Sequence, residues 1–315
     1  MRTSENDISL DSAVSLPRPP GINTLVRKSI PEEALVTGWS EISGTDQHVT
    51  TRWPHHHPFY AEGGHYSPLL FVESLRQALA LLTHDVHHIP LTHRLGWERI
   101  RSTVNRDALH VGTHPAEVTL RISHPSVKRR RLGSVLLTSH IEARRAGQHL
   151  GSAELDYSAH PPALYDRLRG SKADADQVVA RALPPAPPIP AHRAGRQHDR
   201  DVVLSPTSVA DTWQLRVDPG HKVLFDHSHD HVPGMVLLEA AAQAAQAVVD
   251  HPVTAVAFAT DFFRYVELDR PCLVSAGPAE PGTSGDPDGS RIHVTASQDD
   301  HPVFSSHVVA VPRRA

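Results

Sequence analysis

The sequence predicts an α+β protein of two similar units in tandem, each with one long central helix wrapped by an antiparallel sheet. Three observations predict this fold class. A proline-rich stretch divides the chain, the two parts share one pattern, and each has one long apolar segment among short alternating ones. A helix that is apolar on nearly every side must be surrounded, and a curved sheet does so with few elements.

The proline-rich run LPPAPPIP at 183–190 marks the boundary between the units. Proline lacks an amide donor and fixes φ, so this run predicts neither a helix nor a central strand. We place the N-terminal unit at residues 23–170, a linker at 171–201 and the C-terminal unit at 202–313.

Both units contain a histidine-rich loop followed by an apolar helix. The segment beginning at His57 aligns without a gap with the segment beginning at Val223, at an offset of 166 residues. Two such units predict a pseudo-dimer joined edge to edge, the arrangement called a double hotdog, in which the sheet edges are hidden. The alignment pairs Phe59 with Phe225, His65 with His231, Glu73 with Glu239, Gln77 with Gln243 and Ala78 with Ala244.

The two helices are predicted from the segments that begin at Pro68 and Gly234. Both are rich in Leu, Ala, Glu and Gln and lack internal proline or glycine. Strands are predicted where β-branched and aromatic residues alternate between turn residues. These are EALVTGWSEI and TWQLRVD before the loops, AEVTLRIS and SVLLTSHIEARRAG after the first helix, and two longer stretches after the second.

The composition excludes several classes of protein. The 315 residues suit two soluble domains, and no apolar run approaches the length that spans a bilayer. The first twenty residues do not resemble a secretory signal, and the single cysteine, Cys272, cannot form an internal disulfide. A net charge of −4 offers no basic surface for nucleic acid. We therefore expect a cytoplasmic protein that binds neither membrane nor nucleic acid.

Glu73 lies inside an apolar run of the first helix, where an unpaired carboxylate is costly. Arg76 and Gln77 follow three and four residues later, on the same helix face. One interpretation is a partly exposed salt bridge that contributes little. The other is a catalytic pair in the cleft between the units, with Glu73 as general base and Arg76 as the anchor of a phosphate or an oxyanion.

The second helix carries a polar stripe of Glu239, Gln243 and Gln246. The stripe either faces solvent or lies near a substrate at the helix start, where free amides around Gly234 favour a polarised carbonyl oxygen such as that of a thioester. We expect Glu73 and Glu239 to face one shared crevice.

The loop DHSHDHVPG brings His227, His229 and His231 together with two aspartates. It lacks the spacing of a zinc motif, so we predict no metal site, and no cofactor. His227 or His231 would orient substrate or move a proton to the glutamate of the other unit, and a polar surface loop is the alternative. The run KRRR, Lys128 to Arg131, is either a solvated hairpin turn or a surface that attracts an acidic carrier protein.

Two resemblances narrow the function. PGMVLLEAAAQ, preceded by DHSHDHV, resembles the central-helix motif of hotdog β-hydroxyacyl-carrier-protein dehydratases. The duplication, with LVRKSIPEEALVTGW, FVESLRQA, DHSHDHVPGMVLLEAA and FFRYVELDRP in order, resembles the A-factor biosynthesis family of γ-butyrolactone synthases from about Asn23 to Pro312. At Ala242 the sequence departs from this family, which commonly has arginine there.

The second resemblance implies transfer of a β-ketoacyl chain from acyl carrier protein to the hydroxyl of dihydroxyacetone phosphate, followed by condensation to a butenolide phosphate. It implies that Glu73 deprotonates the hydroxyl, Arg76 holds the phosphate or carbonyl oxygen, and Glu239 assists. A dehydratase or thioesterase of the same fold and a non-catalytic acyl-binding regulator are the alternatives. The residues predicted to bind substrate are His227, His231, Gly234, Gln77 and Gln243.

Overall fold

The computed structural model describes residues 21–279 and 289–313, so the amino-terminal twenty residues lie outside the described part of the chain. The α-helices are α1 (Ile22–Leu25), α2 (Pro68–Asp85), α3 (Pro162–Arg169), α4 (Ala175–Ala180) and α5 (Gly234–Ala247). The strands are β1 (Val36–Ser43), β2 (Asp46–Trp53), β3 (Ala61–Glu62), β4 (His65–Tyr66), β5 (Arg94–Val104), β6 (Ala116–Arg129), β7 (Val135–Arg145), β8 (Gln148–His160), β9 (Leu204–Pro206), β10 (Thr212–Leu215), β11 (Val253–Phe262), β12 (Leu273–Pro278), β13 (Ser290–Gln298) and β14 (His301–Pro312).

Twelve of these strands form one antiparallel sheet that runs through both units. Its order is β1-β2-β6-β7-β8-β5 in the first unit, continued by β11-β14-β13-β12-β10-β9 in the second. The units join where β5 pairs with β11, with Arg99 opposite Asp261 and Thr103 opposite Ala257. The two halves of this order mirror each other about the junction, so the predicted double hotdog with its edge-to-edge pseudo-dimer is confirmed.

Each half of the sheet wraps one helix. Of the 18 residues of α2, only Arg76 and Asp85 are not buried, and α5 is buried except at Gly234 and Ala242. The helix α2 begins at a proline, and Ser67 caps it by accepting a hydrogen bond from the Leu69 amide. Both predicted helices are therefore confirmed.

The repeat holds in the helices but shifts by two residues in the loops. His57 Nδ1 accepts the amides of residues 59 and 60, and His221 Nδ1 accepts those of residues 223 and 224. His57 and His221 are 164 positions apart, whereas Glu73 and Glu239 are 166 apart. The gap-free pairing of Phe59 with Phe225 is therefore wrong, because the loop before α5 is two residues longer.

The predicted linker packs against the second unit along much of its length. Its first part includes α4, which the sequence analysis did not predict. Leu183 donates its amide to Leu268, Ile189 donates its amide to Leu204, and both Ile189 and Ala194 are buried. The boundaries at 170 and 202 remain a prediction. Across the described residues, no helix has the length and apolar character needed to cross a membrane.

Candidate active site

Two cavities lie at equivalent places between the units. The first, of about 790 Å³, is lined by Glu73 and Arg76 of α2 and by the loop 226–234 before α5. The second, of about 370 Å³, is lined by Glu239 of α5 and by the loop before α2. Each cavity thus combines the helix of one unit with the loop of the other. The single shared crevice predicted for Glu73 and Glu239 is wrong, because the pseudo-twofold packing turns the two carboxylates to different cavities.

In the first cavity Glu73 is held by two cations. Its carboxylate accepts two hydrogen bonds of 2.8 Å from Nε and Nη2 of Arg76, and Lys28 Nζ lies 3.3 Å from Oε1. The Glu73 side chain is only 5% exposed, whereas that of Arg76 is 23% exposed. The pair is therefore a buried bidentate ion pair at a cavity wall rather than a solvated surface bridge.

The charges around Glu73 keep it ionised. Burial alone would raise the pKa of this carboxyl, but the charges of Arg76 and Lys28 outweigh it and lower the pKa to about 2. Glu73 is consequently a weak base until something draws Arg76 or Lys28 away from it.

Gln77 positions Glu73 and is absent from the cavity lining. Its Nε2 donates to Glu73 Oε1 at 2.7 Å and to the Glu33 carbonyl at 2.8 Å, and its Oε1 accepts the Leu35 amide. Because each of these amide atoms already has a partner and the side chain is buried, the prediction that Gln77 binds substrate does not fit the structure.

The amino terminus of α5 opens into the first cavity with free amides. Pro233 occupies the cap position without a side-chain hydrogen bond, and no described residue accepts from the amides of Gly234 or Met235. A Cβ on Gly234 would lie 3.0 Å from Cε3 of Trp97. Glycine therefore lets this helix begin against the Trp97 ring without displacing it, with two unpaired donors and the positive end of the helix dipole facing the cavity.

Two of the loop histidines each pair with the aspartate just before them. His227 Nδ1 lies 2.9 Å from Asp226 Oδ1, and His231 Nδ1 lies 2.8 Å from Asp230 Oδ1. Although burial raises the pKa of both aspartates, their histidine partners hold it well below the ordinary value. An ionised aspartate makes Nδ1 the donor, which leaves Nε2 of each histidine to accept a proton or bind substrate. Burial, with the two neighbouring histidines, lowers the pKa of His229 to about 3.

Asp230 is fixed from outside the loop. Arg169 Nε lies 3.0 Å from Asp230 Oδ2, and the Tyr165 hydroxyl donates to the same oxygen at 2.7 Å. Arg169 also holds Glu267 through two hydrogen bonds of 2.9 and 3.0 Å. The helix α3 of the first unit thus orients His231 of the second.

The ligand atoms of Asp226, His227 and His229 lie within 4.8 Å of one another. Lys28 Nζ already lies 3.6 Å from the Asp226 carboxylate, and Ser29 donates its amide to the same group. This neutralised carboxylate makes a poor ligand for a divalent cation, and the predicted absence of a metal site stays a prediction.

The second cavity is built differently. Glu239 is paired with Arg196 through Nε at 2.8 Å and Nη2 at 2.5 Å, and Arg196 also reaches Glu62 at 3.7 Å. Gln243 donates to Glu239 and to the Asp201 carbonyl, as Gln77 does in the first unit. Position 242, equivalent to Arg76, is alanine.

The helix start that faces the second cavity has no free amide at its first two positions. Pro68 lacks an N–H, and the amide of Leu69 is capped by Ser67. The two cavities therefore differ in the feature that would stabilise a developing negative charge.

Comparison with known proteins identifies the family. Residues 22–161 and 179–312 match the model of the A-factor biosynthesis hotdog domain. The chain belongs to this family. Two curated relatives, each named 2-oxo-3-(phosphooxy)propyl 3-oxoalkanoate synthase, come from Streptomyces virginiae and Streptomyces coelicolor. Both are 36% identical to the chain, over 89% and 93% of its length and 94% of their own.

A solved structure supports the fold independently. The crystal structure of an oleoyl thioesterase from Lactobacillus plantarum covers 87% of this chain and 99% of its own, with a TM-score of 0.51 and 12% identity. At this identity the likeness shows the hotdog fold alone.

Sequence reasoning missed Lys28 as a cationic partner of Glu73 and Arg196 as the cationic partner of Glu239 in this A-factor family chain. The signal lies in the segments before the first strand of each unit. Lys28 lies five residues before Glu33, which faces His57 of the first loop. Arg196 lies five residues before Asp201, which faces His221 of the second loop. An alignment of those two segments would have paired them.

Proposed function

We propose that the first cavity transfers a 3-oxoacyl chain from the thiol of acyl carrier protein to the hydroxyl of dihydroxyacetone phosphate. The product is then a 2-oxo-3-(phosphooxy)propyl 3-oxoalkanoate, the compound named in the two Streptomyces relatives. The observation that carries the proposal is the arrangement of Glu73, Arg76 and Lys28 in one cavity with the free amides at Gly234 and Met235.

The phosphate of the acceptor would bind Arg76. Two donors of its guanidinium are engaged by Glu73, but Nη1 has no partner among the described residues, and the side chain is partly open to the cavity. Arginine presents a fork that suits phosphate oxygens. A phosphate placed here adds negative charge beside Glu73 and weakens its hold on Arg76, so the Glu73 pKa rises. The acceptor thus turns a weak base into a stronger one.

The thioester carbonyl would lie at the start of α5. Glu73 accepts the proton of the acceptor hydroxyl, whose oxygen bonds to the carbonyl carbon while the Gly234 and Met235 amides bind the developing oxyanion. The C–S bond then breaks, and the leaving thiolate takes up the proton. His231, fixed by Asp230, is placed to orient the chain or pass this proton.

The same features support one catalytic cavity per chain. The second cavity also has a glutamate paired with an arginine, but alanine stands at position 242 in place of the phosphate-binding arginine, and Pro68 and Ser67 remove the free amides. In this proposal Glu239 is structural, which differs from its predicted assisting role.

The matched pair Glu73→Gln and Glu239→Gln tests the proposal. With 3-oxoacyl-carrier protein and dihydroxyacetone phosphate, Glu73→Gln should lower kcat by about 10²- to 10⁴-fold, the usual contribution of a general base. Glu239→Gln makes the same change at the equivalent helix position and should retain most of the turnover. The product is measured by mass spectrometry, and the melting temperature shows whether each variant folds.

Other results would reject the proposal. If the wild type releases only free acid or an enoyl thioester, the chain is a thioesterase or a dehydratase of the same fold. If Glu73→Gln leaves turnover intact, or if both variants lose it equally, the first cavity is not the catalytic one.

A further inference from the structure

The hairpin turn between β6 and β7 carries a concentrated positive charge. Lys128 to Arg131 and the adjacent Leu132 are all exposed, with Leu132 65% exposed. Among the described residues, no carboxylate lies within salt-bridge distance of these four cations, and Arg129 bonds only the His87 carbonyl. The chain as a whole carries a formal charge of −4, so this cluster stands out against an acidic background.

This turn lies at the same end of the sheet as the opening of the first cavity. Just after the turn, Ser134 Oγ lies 3.1 Å from Nδ1 of His160, a residue that lines the cavity. His160 is in turn paired across the sheet with Arg94 of β5, another lining residue. Adjacent strands are about 4.8 Å apart, so the turn and Arg94 are separated by roughly 10 Å.

The opening itself is both cationic and apolar. Arg94 and Arg264 are exposed lining residues with no salt bridge among the described residues. Leu168 and Phe263 also line this cavity, yet they are 59% and 54% exposed. Glu98 is an exposed acid of the same lining, so the two arginines outnumber it. Exposed large apolar side chains grouped with unpaired arginines are typical of an interaction surface.

We infer that this face, from the turn 128–132 to the opening at Arg94, Leu168, Phe263 and Arg264, is the docking surface of the acidic carrier protein that delivers the thioester. The inference rests on the proposed function. A negatively charged domain docked here would be attracted by the uncompensated cations and would cover the exposed Leu and Phe side chains. Its thioester arm would enter the first cavity directly.

The turn offers a clean test because it does not line the cavity. Arg131→Glu reverses one charge of the turn, and Arg144→Glu makes the same reversal at the far end of β7. The two sites are on the order of 30 Å apart along the strand. Turnover is measured with the same 3-oxoacyl chain on acyl carrier protein and on N-acetylcysteamine.

Arg131→Glu should raise KM for the carrier-bound substrate at least about fivefold at low salt, and less at high salt because the charges are screened. Kinetics with the N-acetylcysteamine thioester should stay unchanged, and Arg144→Glu should behave as wild type with both substrates. An unchanged KM for the carrier-bound substrate, or an equal effect of the two variants, would overturn the docking surface.

A binding assay separates this inference from the proposed reaction. Fluorescence anisotropy of labelled holo acyl carrier protein needs no turnover. If the wild type makes no ester from either thioester, the proposed function fails, while weaker carrier binding by Arg131→Glu than by Arg144→Glu still supports the surface. Equal binding by the two variants contradicts it.

Discussion

Lys28 joins two of the acids that line the first cavity, with Nζ 3.3 Å from Glu73 and 3.6 Å from Asp226. These three side chains come from three separate segments and are all nearly fully buried. The removal of one partner of a buried charge pair is usually far more costly than the pair is stabilising. The balance of charge among Lys28, Glu73 and Asp226 therefore affects the stability of the protein as well as the chemistry of the first cavity.

Glu73 should make stability depend on pH in the acid range. Its pKa is lowered from 4.5 to about 2 in the folded protein. The stabilisation is thus complete above the unfolded pKa and is lost as the pH falls from about 5 to about 2. Linkage gives on the order of 3 kcal/mol for a shift of this size.

Urea unfolding of the wild type and Glu73→Gln between pH 7 and pH 3 measures this contribution. Glutamine does not titrate, so the difference in unfolding free energy between the two proteins should shrink as the pH falls. A difference that is the same at pH 3 and at pH 7 would contradict the lowered pKa.

At the scale of elements, the two helix starts are the clearest asymmetry of the duplicated units. Gly234 leaves free amides at the start of α5, whereas a proline and a capped amide begin α2. Both helix starts carry the positive end of a helix dipole, but only the start of α5 presents donors that a substrate oxygen can reach.

Gly234→Ala should therefore impair catalysis. The new Cβ would lie 3.0 Å from Trp97, so the helix start or the ring must shift. We expect kcat/KM to fall on the order of 10- to 100-fold, since small misplacements of transition-state donors are costly. Gly112→Ala, whose Cβ would meet nothing within 4 Å, is the control and should keep normal kinetics. Normal kinetics in Gly234→Ala as well would remove the start of α5 from the mechanism.

The sequence was most informative about features that depend on a single helix or strand. Apolar runs without internal proline predicted α2 and α5, and spacing placed Arg76 and Gln77 beside Glu73. Alternation predicted strands such as β6, β7, β11 and β14, but β2, β5 and β8 were not predicted. The cavity that each of Glu73 and Glu239 faces could not be predicted, because it depends on how the two units pack. Arg196 lies in a stretch that was interpreted only as a linker. The two extra residues of the second loop were missed because a gap-free alignment pairs Phe59 with Phe225, and the two residues are identical.

At the scale of the whole molecule, the linker closes the second cavity. Arg196 reaches from it to Glu239 and to the Phe59 carbonyl, which belongs to the other unit. This residue therefore holds together the linker, the second helix and the first loop.

Arg196→Met should destabilise the protein without affecting its chemistry. It leaves Glu239 buried without a counter-charge, which typically costs about 3–5 kcal/mol. Adding Glu239→Gln should recover much of that loss, so the two changes should be clearly non-additive in urea unfolding. The kcat of the folded single variant should match the wild type. A large drop in kcat at unchanged stability would instead assign a catalytic part to the second cavity.

The pairing of β5 with β11 joins two hotdog units that belong to one polypeptide. A dimer of identical single-hotdog subunits must carry every substitution twice, so its two symmetry-related pockets can only change together. Fusion of the halves into one polypeptide lifts that constraint. Alanine at position 242, proline at position 68 and glycine at position 234 each alter one pocket and spare its counterpart, so one gene can change either pocket while the other is left as it was.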